Sequence, residues 1–139
     1  MVQIQSREFA LLMALLMSIV SFSIDAILPA LGQIGQGMQV SNPNHVQWVI
    51  TFSFAGMTLG QLVAGPLSDA IGRKRILFAG IGIYFVGSLL CYLTHQFEWF
   101  LLGRFIQGIG VAGPYVAAIS VVRDKYSGAQ MARVMSLIM

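Results

Sequence analysis

Two ionisable side chains stand inside long apolar runs. Asp25 follows Met17-Ser18-Ile19-Val20-Ser21-Phe22-Ser23-Ile24, and Arg104 sits within Leu101-Leu102-Gly103-Arg104-Phe105-Ile106-Gln107. A charge at the centre of a membrane helix costs roughly 2.5 to 3.5 kcal/mol on the insertion scale, so a passive anchor has no use for either. Each must face protein or a water-filled cavity, where a carboxylate can take up and release a proton. Ser18, Ser21 and Asp25 follow one another at helical i+3 and i+4 steps, as do Arg104, Gln107 and Gly108, so both charges are expected on polar stripes turned inward. Asp25 and Arg104 are therefore candidates for substrate or proton handling, for pairing that holds the bundle together, or for both.

A third set lies in Gly65-Pro66-Leu67-Ser68-Asp69-Ala70-Ile71-Gly72-Arg73-Lys74-Arg75. Two glycines, one carboxylate and three consecutive cations occupy a segment between two apolar runs that is too short to link domains. Gly65 and Gly72 suit close packing and a positive φ where the chain reverses. Asp69 is placed to cap the next helix or to pair with Arg73. Enzyme chemistry has no comparable signature: there is no Ser/His/Asp set, no cluster of metal ligands, and no phosphate-cradling loop followed by Lys-Ser/Thr. His45 and His95 fall between apolar runs and read as solvated loop residues.

The elements that position these residues follow from composition. The 139-residue chain is 57% hydrophobic and 9% charged, against about 25% charged residues in soluble domains, so its surroundings are lipid. Its net charge of +3 rests on only eight Lys and Arg, too few for a nucleic-acid surface. Cys91, the single cysteine, can form no disulfide within the chain. Four runs are long enough to cross a hydrocarbon layer, near residues 9–31, 46–67, 76–94 and 99–122. A fifth begins at Met131 and is cut off at Met139, a pattern expected of a fragment. The first run is too long for a signal peptide, carries Asp25 and lacks a small-x-small cleavage site, so it reads as an uncleaved helix. The expected fold is an all-α membrane protein, a transmembrane helix bundle.

Seven of the eight cations fall on one side of this arrangement: Arg7, Arg73, Lys74, Arg75, Arg123, Lys125 and Arg133. The positive-inside rule assigns that side, and the amino terminus, to the cytoplasm. Trp48 and Trp99 mark the opposite interface. Gly56, Gly60 and Ala64, and Gly113 and Ala117, form small-residue stripes that let helices approach closely. Pro29 and Pro114 each remove a backbone donor, and a bend is expected at Gly113-Pro114. Phe22, Phe52, Phe54 and Tyr115 are expected mainly to pack, with a cavity lining as the alternative.

The segment at Gly65 resembles the signature G-x-L-x-D-[RK]-x-G-[RK]-[RK] of the major facilitator superfamily, matching at Gly65, Leu67, Asp69, Gly72, Arg73 and Lys74 and departing at Ala70. Arg104, Gln107, Gly108 and Gly110 resemble R-x-x-Q-G-x-G, a signature of proton-linked members. With Asp25 to Pro29 and Arg123-Asp124, the chain most resembles drug:proton antiporters of the bicyclomycin-resistance type. The resemblance implies twelve helices in two halves, of which this chain would be the amino-terminal part, in an inner membrane. It implies proton-coupled efflux of small amphipathic or cationic drugs, driven by the proton gradient with no bound cofactor. Its partners would be the small-molecule substrate, protons, the lipid bilayer and the remainder of the transporter. It further implies that Asp69, Arg73 and Asp124 form an inner gate, that Arg104 and Gln107 serve proton or substrate handling, and that Asp25 is a protonation and cation-substrate site. Uptake of a metabolite by the same fold, or a non-transporting fragment, are the alternatives.

Overall fold

The computed structural model describes residues 2–138, with side chains for 8, 11–18 and 20–136. Arg7, counted above in the charge asymmetry, lies outside the described side chains. Helix α1 covers Val2–Asp25, the short α2 covers Leu31–Gly37, and a 3₁₀ segment at Pro43–Gln47 leads into α3, Trp48–Ile71. Then come α4, Arg73–Leu93, α5, Phe97–Lys125, and α6, Gly128–Ile138. Among the described residues three helical segments are long and apolar enough to cross a membrane: Pro43–Ile71, Arg73–Leu93 and Phe97–Lys125. Within α1 the apolar stretch among the described residues is Leu11–Asp25.

Two expectations about boundaries change. The first run does not continue as a helix to residue 31. Pro29 has no N–H to donate, and from Ile27 onward the ladder tightens from i−4 to i−3 bonds, Ile27 N–H to Ile24 at 3.4 Å and Leu28 N–H to Asp25 at 3.3 Å. The expected loop from Gly65 to Arg75 is almost all helix. Hydropathy marks the part of a helix that sits in lipid, whereas the backbone ladder of α3 runs on through Asp69 to Ile71. One residue, Gly72, separates α3 from α4, with φ 96° and ψ 145°, a conformation costly for any residue with a side chain. Gly65 lies inside α3 with open space around it, so in this chain it serves neither the reversal nor close packing.

Helix α5 is the centre, and α3 and α4 lie on either side of it. Gly56, Gly60, Ala64 and Ser68 form the buried edge of α3, continuing the small-residue stripe by one more step of four. A methyl group on Gly56 would collide with the Phe105 carbonyl oxygen of α5. On the other flank, a methyl on Gly80 of α4 would lie 2.8 Å from the Cα of Gly113. Pro114 does not divide α5; its ring packs beside Gly80, and the helix is unbroken through it. Helix α1 packs with Met13 and Met17 against Ala118 and Val122 of α5, and α6 closes this cluster with Val134 and Met135. At the other end Ile27, in the turn after α1, packs with Val49 of α3 and Phe100 of α5 against Leu31 and Ile34 of α2. Phe52 packs edge-on to Phe105 at 6.4 Å and Tyr115 joins the Met13 cluster, whereas Phe22 and Phe54 are exposed.

Because lipid provides no hydrophobic drive between helices, these backbone approaches carry the assembly. Gly80→Leu is expected to destabilise the bundle by about 3 kcal/mol or more through overpacking. Gly82→Leu, two residues along the same helix but open to space, is expected to be neutral or slightly stabilising. Thermal unfolding of both variants in detergent tests the contrast, and equal losses would contradict the packing described.

Candidate functional site

Charged and polar side chains gather in two places. At one end, the Gly72 break aims the first residue of α4 at the last turn of α5. Arg73 Nη1 meets Asp124 Oδ2 in an ion pair, and Arg73 Nη2 stands 3.8 Å from Asp69 Oδ1 of α3. Local electrostatics explain why this arrangement forms. Three cations open α4, where the helix dipole favours anions, and Asp124 ends α5, where it favours cations. Bringing the two ends together offsets both mismatches. Of the two roles open to Asp69, the structure shows pairing, since α4 has no side-chain cap. Both carboxylates remain more than half exposed, and such pairs are worth about 0.2 to 1 kcal/mol, so the cluster is cheap to open. Lys74 points to the outside, clear of these two carboxylates.

The second gathering lies deeper, where α1, α4 and α5 meet. Gln107 is buried, and its Nε2 donates to Ser88 Oγ of α4 at 2.6 Å. The Ser88 hydroxyl in turn donates to the Tyr84 carbonyl at 2.9 Å. Ser23 Oγ and the Tyr84 hydroxyl share a hydrogen bond of 2.9 Å that ties α1 to α4. Arg104, one turn before Gln107, is half-buried, with its guanidinium 5.2 Å from the Phe100 ring and its Nε buried without a hydrogen-bond partner. A small cleft lined by Ser23, Ser53, Tyr84, Arg104 and Gln107 opens here. Among the described residues the cleft is lined by three hydroxyl-bearing side chains, Ser23, Ser53 and Tyr84, and by no carboxylate.

Asp25 is not part of this set. The buried edge of α1 is Met13, Met17 and Val20, and the helical turn places Ser18, Ser21 and Asp25 on its exposed side. The polar stripe expected to turn inward thus turns away from α5. No ion pair joins Asp25 to Arg104 among the described residues, so these two do not clasp the helices together. The reason is rotational: α1 has an apolar edge and a polar edge, and the methionines fill the gap beside Ala118 and Val122 that the serines would leave open. Sequence reasoning passed over Ser23, Tyr84 and Ser88. Their i+4 spacing on α4, Tyr84 then Ser88, was the available signal.

Tyr84→Phe removes the Ser23 bond while keeping the ring. It is expected to lower stability by about 0.6 to 1.5 kcal/mol, the range for interhelical hydrogen bonds in membranes. Ser23→Ala should lose a similar amount, and the double variant no more than either alone. Additive losses in thermal unfolding would show that the two hydroxyls act separately.

Comparison with known proteins places these features. The family description Major Facilitator Superfamily matches residues 10–139. Over 117 residues the chain is 41% identical to the multidrug resistance protein MdtL of Klebsiella pneumoniae (strain 342), covering 83% of this chain and 29% of that protein. It is 32% identical over 130 residues to the uncharacterized MFS-type transporter YdgK of Bacillus subtilis (strain 168), covering 94% and 32%. It is 35% identical over 134 residues to MdtL of Salmonella dublin, covering 95% and 33%. The chain spans about a third of the length of these curated relatives. With a match across nearly all of its residues, over apolar helices packed for a bilayer, the chain belongs to the major facilitator superfamily of multi-pass membrane transporters.

Proposed function

We propose that this chain is the amino-terminal part of a proton-coupled exporter of small amphipathic or cationic drugs, held in the inner membrane with its amino terminus in the cytoplasm. The observation that carries the transport reading is the Arg73 cluster, a weak charged latch between the ends of α3, α4 and α5 that can open and close without large cost. Export of drugs is supported by relatives from Klebsiella and Salmonella that bear the name multidrug resistance protein. The orientation is supported by the helices themselves. Arg73, Lys74 and Arg75 open α4 and Arg123 and Lys125 close α5, which puts these cations at one end of the bundle, while Trp48 and Trp99 start their helices at the other.

In this reading Arg104 and Gln107 handle protons or substrate from the cleft they share with Tyr84. Asp25 serves as a protonation site on the exposed side of α1, next to a passage formed with further helices of a longer protein. Asp69, Arg73 and Asp124 hold one conformation by their ion pairs, with Gly65, Gly72 and Lys74 completing the segment. The proton gradient drives the cycle, and no bound cofactor takes part. A protein this short encloses no alternating-access cavity of its own.

Drug accumulation in everted membrane vesicles tests the proposal. Residues 1–139 alone are expected to give no proton-driven uptake of drug into such vesicles, and the longer polypeptide to restore it. Within the longer polypeptide, Asp25→Asn should remove most of the proton-driven transport, and unchanged transport would exclude Asp25 as the coupling site. Asp69→Asn should change turnover by up to about fivefold, the equivalent of one weak ion pair, with little change in apparent drug affinity. Concentrative uptake of one solute by cells with unaltered drug susceptibility would overturn the export reading itself.

A further inference from the structure

Helices α3 and α4 both lie on α5 but scarcely touch each other, and an apolar groove runs between them. Leu59, Val63 and Leu67 form one wall, Ile76, Ala79 and Ile83 the other. Ile109 and Gly113 of α5 form its floor. The side chains at 59, 63, 67 and 79 are exposed, so no described residue fills the groove. At the Gly72 break lies a second cleft, lined by Ile71, Gly72, Arg73, Lys74, Arg75 and Phe78. The two are continuous by helical register. Leu59, Val63, Leu67 and Ile71 succeed one another at four-residue steps on α3, as do Arg75, Ala79 and Ile83 on α4, so each row runs from the apolar groove into the cationic mouth.

The mouth is short of negative charge. Arg73 is engaged by Asp69 and Asp124, whereas neither Lys74 nor Arg75 forms an ion pair among the described residues. The first turn of α4 contains no acidic residue and has no side-chain cap. Its amides and two exposed cations therefore sum at one point to attract an anion. A groove that is apolar along its length and cationic at one end complements a molecule with an anionic head joined to an apolar tail. A helix of another protein segment would fill the apolar part and leave the two cations without a counter-charge.

We propose that the α3/α4 groove is a binding site for an anionic phospholipid, with one acyl chain lying between Val63 and Ala79 and the phosphate held by Lys74 and Arg75. The orientation proposed above sets this mouth at the cytoplasmic leaflet, where anionic lipids are concentrated. Only the choice of leaflet rests on that orientation. Lipid occupancy there would brace the single-residue joint at Gly72.

The test is native mass spectrometry of the purified full-length protein in mild detergent, without a proton gradient, so that failure of transport and failure of lipid binding are read separately. Phosphatidylglycerol is expected to be retained roughly tenfold or more over phosphatidylcholine with the same acyl chains. The double substitution Lys74→Gln and Arg75→Gln should bring the two lipids level, while Arg133→Gln, a cation elsewhere on the same side, should not. Ala79→Trp, which fills the groove and leaves both cations, should also release phosphatidylglycerol. Inorganic phosphate should fail to displace the lipid, because it lacks the tail. Equal retention of the two lipids by the unaltered protein would overturn the proposal. So would Ala79→Trp without effect, which would mean adsorption of the headgroup only. A disulfide formed from Val63→Cys to another helix or a second copy would show that protein occupies the groove and would equally overturn it.

Discussion

Close approach of backbones on α5 is the constraint on which the rest of this structure depends. In lipid a helix gains nothing by hiding an apolar side chain from its surroundings, so assembly comes from contact between surfaces that fit. Helix α5 meets α3 through Gly56, Gly60 and Gly108, and α4 through Gly80, Gly110 and Gly113, with hardly any side chain between the helix axes. Both neighbours are pinned to the same central helix, and their mutual separation follows from it. That separation leaves the groove between α3 and α4, and it sets where the ends of the three helices come together.

The charged cluster is a consequence of this geometry. With α3 and α4 held on α5, the joint between them has to be very short, and Gly72 supplies the one backbone conformation that makes it so. The first side chain of α4 then emerges beside the last turn of α5, and Arg73 finds Asp124 there. Dipole mismatch at both helix ends turns a meeting of two charges into a preferred one, yet solvent exposure keeps it weak. A strong, buried pair at the same place would fix the bundle in one state. The pair seen is exposed and weak, so separating it costs little.

Deeper in the bundle the polar side chains behave differently. Gln107 donates to Ser88 across the α4–α5 contact, and the bond shared by Ser23 and Tyr84 connects α1 to α4, a pair of helices that the glycine stripes do not join. Arg104 is left with an aromatic face and a cleft, a cation in a mostly apolar setting without a carboxylate beside it among the described residues. Holding such a group is costly in a membrane. Its presence in a cleft with the Ser23, Ser53 and Tyr84 side chains distinguishes this place from the apolar, glycine-lined contacts on either side.

Much of this was legible in the order of residues. The apolar runs announced helices, the one-sided cations announced which ends lie together, and the small residues at four-residue steps marked the faces that touch. These properties survive in sequence because they depend on local composition and on helical periodicity, which every residue carries with it. The pairing of Arg73 with Asp124 came only through likeness to a family motif, since no spacing along the chain relates position 73 to position 124. Tertiary structure alone decided that α3 runs on to Ile71, that Asp25 faces away from α5, that Tyr84 reaches Ser23, and that an apolar groove opens into Lys74 and Arg75. Each depends on how far a helix is rotated about its axis and how two helices lie against a third. A few tens of degrees of rotation exchange Met17 for Ser21 at an interface without altering hydropathy, so the choice is made by the shape of the neighbour.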